Sequence, residues 1–210
     1  MALDIAADAT VLVAILRGVS PLRVIEIGDV LYEAGFRTLE VPLNSPDPFA
    51  SIAKLAAHRS DWTIGAGTVL EPEDVRRTRD AGGRLVLAPN CDAAVIRRAL
   101  ELDLQVIPGI ATATEAFVAI AAGAQQLKLF PASTYGPRHL GALSAVLPGE
   151  ARVFPVGGIG AQDIAAWLAV GAAGFGFGSE LFRTDYSVAD IARRARELVQ
   201  ALRDARAKTP

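Results

Sequence analysis

Apolar residues in this chain fall into short runs that end at glycine or proline, and between the runs they recur at helical spacing. The runs at 11–16, 38–43, 62–66, 84–88, 105–107, around Lys128, 152–156 and 173–177 predict eight β-strands with little polar alternation, the pattern of strands buried on both faces. Between the first two, Val24, Ile27, Val30 and Leu31 share one helical face, with Ser20-Pro21 as its predicted start and Gly35 as its stop. Ser45-Pro46 predicts the next helix, with Phe49, Ile52, Ala53 and Ala56 inward. Pro72 opens a third, Asp92 a fourth, and Thr112 or Thr114 a fifth that runs to Gly123. Two more are predicted near 137–147 and 161–169. Ser187, with Asp190 three residues on, caps a last helix that turns Val188, Ile191, Ala195, Leu198 and Leu202 inward.

Eight strand-then-helix units of about 20–25 residues each predict an α/β fold, a single (β/α)8 TIM barrel. A small residue plus glycine closes a helix just before a strand at Ala34-Gly35, Ala81-Gly82, Ala122-Gly123 and Val170-Gly171. An open doubly wound sheet is the competing fold, but no G-x-G-x-x-G turn follows the first strand. No linker interrupts the chain, so residues 1–210 read as one barrel domain, with about 204–210 expected to fray.

The 210 residues are 51% hydrophobic and 21% charged, which fits a folded globular chain. A net charge of -2 leaves no basic footprint for nucleic acid or an anionic membrane. Asp4 and Asp8 in the first ten residues argue against a signal peptide, and no apolar run reaches the roughly 20 residues that span a bilayer. The single cysteine, Cys91, excludes an internal disulfide and fits a reducing, cytoplasmic setting.

The chemistry is expected at the C-terminal ends of the strands. Lys128 stands inside Leu127-Lys128-Leu129-Phe130-Pro131. A lone strand lysine is most simply structural, its ammonium reaching the rim. A desolvated amine at this position is also a nucleophile for a ketone, forming a Schiff base that accepts electrons when a carbon–carbon bond breaks. Glu40, within the second strand, either neutralises a neighbouring cation or serves as the acid and base that such chemistry needs. Arg17 ends the first strand and can grip a carboxylate with two hydrogen bonds. Thr68, beside Gly65 and Gly67, is either a turn residue or a donor to substrate. Gly157-Gly158 and Gly178-Ser179 follow the seventh and eighth strands, where barrels build phosphate sites from backbone N–H groups and a short extra helix, here residues 180–182. His58 and His139 are too few and too scattered for a metal site, and Cys91 has no histidine near it in sequence.

Six motifs carry a resemblance: Leu16-Arg17-Gly18, Leu39-Glu40-Val41-Pro42-Leu43-Asn44-Ser45, Gly65-Ala66-Gly67-Thr68-Val69-Leu70, Pro108-Gly109-Ile110-Ala111-Thr112, Lys128-Leu129-Phe130-Pro131 and Val156-Gly157-Gly158-Ile159. Together they resemble the class I aldolases of 2-keto-3-deoxy-6-phosphosugar acids, from about Val11 to Arg183. The resemblance implies a homotrimeric barrel that needs no metal or cofactor. It also implies Lys128 as the Schiff-base lysine, Glu40 as the acid/base, Arg17 and Thr68 at the keto-acid end, and Gly157, Gly158, Gly178 and Ser179 at the phosphate. Asn44-Ser45 after Leu43, and Val156 before Gly157, resemble the phosphogalactonate branch of that family rather than the phosphogluconate branch. The implied partner is a small phosphorylated keto-acid, 2-dehydro-3-deoxy-6-phospho-D-galactonate, cleaved to pyruvate and D-glyceraldehyde 3-phosphate. The same chemistry on the gluconate epimer or on 4-hydroxy-2-oxoglutarate is the alternative.

Overall fold

A computed structural model describes residues 11–208; Asp4 and Asp8, read above against a leader, lie outside the described residues. Strands and helices alternate in the order β1 (Val11–Ile15), α1 (Val24–Ala34), β2 (Thr38–Pro42), α2 (Pro48–His58), β3 (Thr63–Gly67), α3 (Pro72–Asp80), β4 (Leu85–Leu87), α4 (Ala93–Glu101), β5 (Gln105–Ile107), β6 (Gly109–Ile110), α5 (Ala113–Ala121), β7 (Gln126–Leu129), α6 (Ala132–Ser144), β8 (Arg152–Pro155), α7 (Ile164–Leu168), β9 (Gly174–Phe177) and α8 (Val188–Ala207). A short 3₁₀ turn, Ala161–Asp163, leads into α7.

All strand pairs are parallel. They form a six-stranded sheet in the order β5-β4-β3-β2-β1-β9 and a three-stranded sheet in the order β6-β7-β8. The fifth predicted strand, 105–107, is found as β5 and stops at Pro108, which has no N–H to donate; β6, at Gly109–Ile110, is an additional strand beyond it that the sequence did not lead one to expect. The Pro108 carbonyl still accepts from Lys128 N–H at 2.8 Å. At the other side, Val156 bridges in parallel to Gly176, and Ala173 N–H donates to the Val153 carbonyl at 2.9 Å. The fold is thus a curled, parallel α/β sheet.

The two faces of the curl carry separate cores. Leu12, Ala14, Leu39, Val41, Ile64, Ala66, Leu127 and Leu129 pack outward against the helices. Val13, Leu85, Leu87, Ile107 and Phe154 form a second cluster. Successive strand residues face opposite ways, so Glu40 and Lys128, flanked by outward leucines and valines, belong to the inner face.

Several helix ends differ from the expected ones. α1 begins at Val24 after a turn in which the Ser20 carbonyl accepts from Arg23 and Val24, so Ser20 acts through its backbone. α2 begins at Pro48, because Ser45 is buried and its hydroxyl is used elsewhere. Ile52 of α2 is buried as expected, but Ala53 is exposed and Phe49 and Ala56 are half-buried, with Ser51 and Leu55 completing the buried face. α6 starts earlier than expected and is interrupted where Gly136 precedes Pro137. α8 runs on to Ala207, past the expected frayed end, because Leu202 and Ala205 extend its buried stripe. Asp92 and Thr112 cap α4 and α5 as expected; Thr112 forms a reciprocal capping box with Glu115.

Candidate active site

A cleft of about 600 Å³ opens beside the C-terminal ends of β1, β7, β8 and β9. Arg17, Lys128, Gly157, Gly158, Gly178 and Ser179 all line it. Glu40 and Thr68 are off the cleft wall but are joined to it through Arg17 and Lys128, as follows.

Lys128 is placed by β7, which pairs it with Gly109 on one side and Phe154 on the other. The side chain is only 5% exposed, and its Nζ lies 4.8 Å from the centre of the Phe130 ring. Burial pushes the amine below its ordinary pKa; the Glu40 charge opposes that shift and the Arg17 charge adds to it. An amine so placed supplies more of its neutral, nucleophilic form near neutral pH.

Glu40 is 1% exposed, and its Oε2 is buried with no hydrogen-bond partner. Burial raises the carboxyl to about 7, against the pull of the Lys128 and Arg17 cations. That is the value at which one group both gives and takes a proton in neutral solution. The carboxyl fits because the adjacent strand carries Gly67: a Cβ there would overlap the Glu40 carboxyl atoms. The alternative of a simple ion pair is not what forms, since among the described residues Glu40 makes none.

Arg17 is exposed, with Nη1 donating to Asn44 Oδ1 at 2.6 Å and Nη2 reaching Thr68 Oγ1 at 3.4 Å. Thr68 has φ +57, a left-handed conformation that β-branched residues seldom adopt. Such strain is typically held in place by its surroundings at functional sites. Gly157 and Gly158 have φ +96 and +68, which glycine adopts freely. Their loop is tied to the start of α6 by Ala132 N–H donating to the Val156 carbonyl and Ser133 N–H to the Gly157 carbonyl.

The short helix expected at 180–182 is a single turn instead, closed by Leu181 and Phe182 N–H groups donating to the Gly178 carbonyl. Those two donors are therefore spent within the chain. Sequence reasoning passed over the Arg183–Asp185 ion pair on the cleft wall, and over Asn44 as a partner of Arg17. An Arg-x-Asp spacing in an exposed loop has no periodicity that would single it out.

Outside the cleft, His58 ends α2 against Asp29, and His139 Nε2 lies 2.6 Å from the Ala111 carbonyl. Cys91 is half-buried, with its thiol donating to the Glu115 carbonyl and pushed up in pKa by burial. Among the described residues no group of three or more His, Cys, Asp or Glu side chains is placed to hold a metal ion, and no helix is long and apolar enough to cross a membrane.

A parallel α/β sheet with a buried amine, a buried acid and glycine loops at one rim defines a class of carbon–carbon lyases. The family model for KDPG and KHG aldolase matches residues 5–196, and the chain belongs to that family. It is 46% identical over 195 residues to the 2-dehydro-3-deoxy-6-phosphogalactonate aldolase of Escherichia coli K12, covering 92% of this chain and 95% of that one. It is 34% identical over 148 residues to the 2-dehydro-3-deoxy-phosphogluconate aldolase of Pseudomonas aeruginosa, covering 70% and 67% of the two chains. A solved structure described as native KDPGal superposes with a TM-score of 0.92 at 45% identity, over 93% of this chain and 96% of that one. A second, at 44% identity and TM-score 0.93, is a protein cage designed by fusing symmetric oligomeric domains; the match covers 95% of this chain and 74% of that one.

Proposed function

We propose that this chain cleaves 2-dehydro-3-deoxy-6-phospho-D-galactonate to pyruvate and D-glyceraldehyde 3-phosphate through an imine on Lys128. The observation that carries the reading is the buried Lys128 amine of β7 electrostatically coupled to the buried Glu40 acid of β2, each on the inner face of its sheet. The neutral amine attacks C2 of the keto-acid. Glu40 protonates the departing hydroxyl, leaving the iminium and a carboxylate. That carboxylate takes the proton from the C4 hydroxyl, C3–C4 breaks, and its electron pair enters the iminium to give an enamine. Protonation of the enamine at C3 and hydrolysis of the imine then release pyruvate and restore the amine. Arg17 and Thr68 hold the carboxylate end, and backbone N–H groups at Gly157, Gly158, Gly178 and Ser179 receive the phosphate.

The galactonate epimer is favoured by the 46% identity to the E. coli enzyme and by Val156, which brings no hydroxyl to the cleft wall. A polar donor there would reward the opposite C4 configuration. The experiment is kcat/KM for both C4 epimers and for 4-hydroxy-2-oxoglutarate. A higher value on the galactonate compound is expected; a preference for either of the others reassigns the substrate.

The same reading includes a closed eight-stranded barrel, with β5 and β6 as one broken strand. Its support is the inner cluster, which joins Val13, Leu85, Leu87 and Ile107 of the larger sheet to Phe154 of the smaller, and the bridge from Val156 to Gly176. It also includes a cytoplasmic homotrimer. For the assembly, the support is the similarity to a chain built into a cage of symmetric oligomeric domains.

A further inference from the structure

The Asn44-Ser45 dipeptide meets the Arg17-Gly18 dipeptide at two points. Asn44 Oδ1 accepts from Arg17 Nη1 at 2.6 Å, and Ser45 Oγ accepts from the Gly18 N–H at 2.9 Å. The turn that presents them is itself fixed. Leu43 N–H donates to the Gly67 carbonyl at 2.8 Å, Ser45 N–H donates to the Pro42 carbonyl at 2.9 Å, and Ser45 is buried. On the other strand, Leu16 N–H donates to the Glu40 carbonyl at 2.9 Å. The backbone that carries Arg17 and the backbone that carries Glu40 are thereby joined on both sides of the arginine.

Arg17 needs such a hold. It is exposed, its side chain is long and rotatable, and among the described residues it forms no ion pair. Its second contact, to Thr68 at 3.4 Å, is near the limit of a hydrogen bond. The anchor is also of a particular kind. A neutral amide orients the guanidinium without compensating its charge, which leaves the charge available to an incoming carboxylate. An aspartate in the same place would hold the same geometry and neutralise it.

We infer that Asn44 is the positioning residue for Arg17, with Ser45 locking the turn from which it acts, and that its neutrality is what keeps the carboxylate subsite cationic. The inference rests on the reading of Arg17 as the group that binds the keto-acid carboxylate. It extends that reading to a residue whose place in the sequence marks only a family branch.

The test is a double-mutant cycle on the full-length enzyme, read as the pyruvate concentration that half-saturates borohydride trapping. Asn44→Ala is expected to raise that concentration about tenfold, the scale of one lost charge-assisted hydrogen bond. In an Arg17→Ala background the same substitution is expected to change it less than twofold, because its effect passes through Arg17. Asn44→Asp is expected to raise it at least as much as Asn44→Ala. Thermal melts of all variants identify loss of fold, and for any variant that melts early Asn44→Gln provides a conservative replacement expected to restore part of the binding. Equal effects of Asn44→Ala in both backgrounds would assign Asn44 a purely structural role and overturn the inference. So would an Asn44→Asp variant that binds pyruvate as the parent does. If Arg17→Ala itself leaves half-saturation unchanged, the carboxylate reading of Arg17 fails, and the inference falls with it; a strong Arg17→Ala effect beside a silent Asn44→Ala removes the inference alone.

Discussion

Lys128 and Glu40 are each buried in the setting that weakens their charged forms, and this sets how they respond to pH. Glu40 has a folded-state pKa of about 7 against an ordinary value of 4.5. As pH rises the unfolded chain gives up that proton first, so stability falls between about pH 4.5 and 7, on the order of 3 kcal/mol in all. Glu40→Gln should abolish most of that slope, measured as the urea midpoint at pH 5 and pH 8. An unchanged slope contradicts the burial account. The same variant should lower kcat by 10²-fold or more, because an amide neither gives nor takes the proton. Lys128 is shifted the other way: the folded state loses its proton before the unfolded state does. At any pH below the ordinary lysine value the fold must either bury the charge or shed the proton, so Lys128→Met should raise the urea midpoint at pH 7 while ending activity. Gly67→Ala sets a Cβ into the Glu40 carboxyl, and both stability and turnover should fall. A Gly67→Ala enzyme of normal activity would show that the acid sits elsewhere. Lys128 and Glu40 were legible in the sequence because a charge inside an apolar strand stands out. Asn44 was not, because an amide after a strand is ordinary, and its importance lies in one contact with a residue 27 positions away.

At the level of single elements, strand positions were legible where glycine or proline ended an apolar run, and all eight predicted strands hold structural strands within a residue or two. The fifth stops at Pro108 as predicted, but β6 was not foreseen, since the sequence does not reveal that pairing resumes beyond that proline. Helix starts were less legible. Ser20, Ser45, Thr112 and Ser187 are alike as capping candidates, yet only Thr112 and Ser187 cap with their side chains; the Ser45 hydroxyl accepts from Gly18 instead. Local sequence cannot rank a distant backbone donor against a near one. Thr112→Ala removes one half of the α5 capping box and should lower stability by about 1 kcal/mol. Pyruvate half-saturation should stay within twofold, which steady-state kinetics and a urea titration check together.

At the scale of the molecule, the curled sheets bring the β2 acid and the β7 amine to one interior, and the proposed barrel closes around it. Closure predicts that the Ala173 amide, which donates across the β8–β9 seam, exchanges with solvent as slowly as amides of the β1–β2 ladder. Rapid exchange confined to the seam would argue for an open curl. The trapping reaction bears most directly on the whole account: pyruvate and borohydride added to the enzyme, followed by peptide mapping by mass spectrometry. One carboxyethyl group on Lys128, with none in Lys128→Ala, is the predicted result. A parent enzyme that stays unlabelled, or a label that persists after Lys128→Ala, contradicts it.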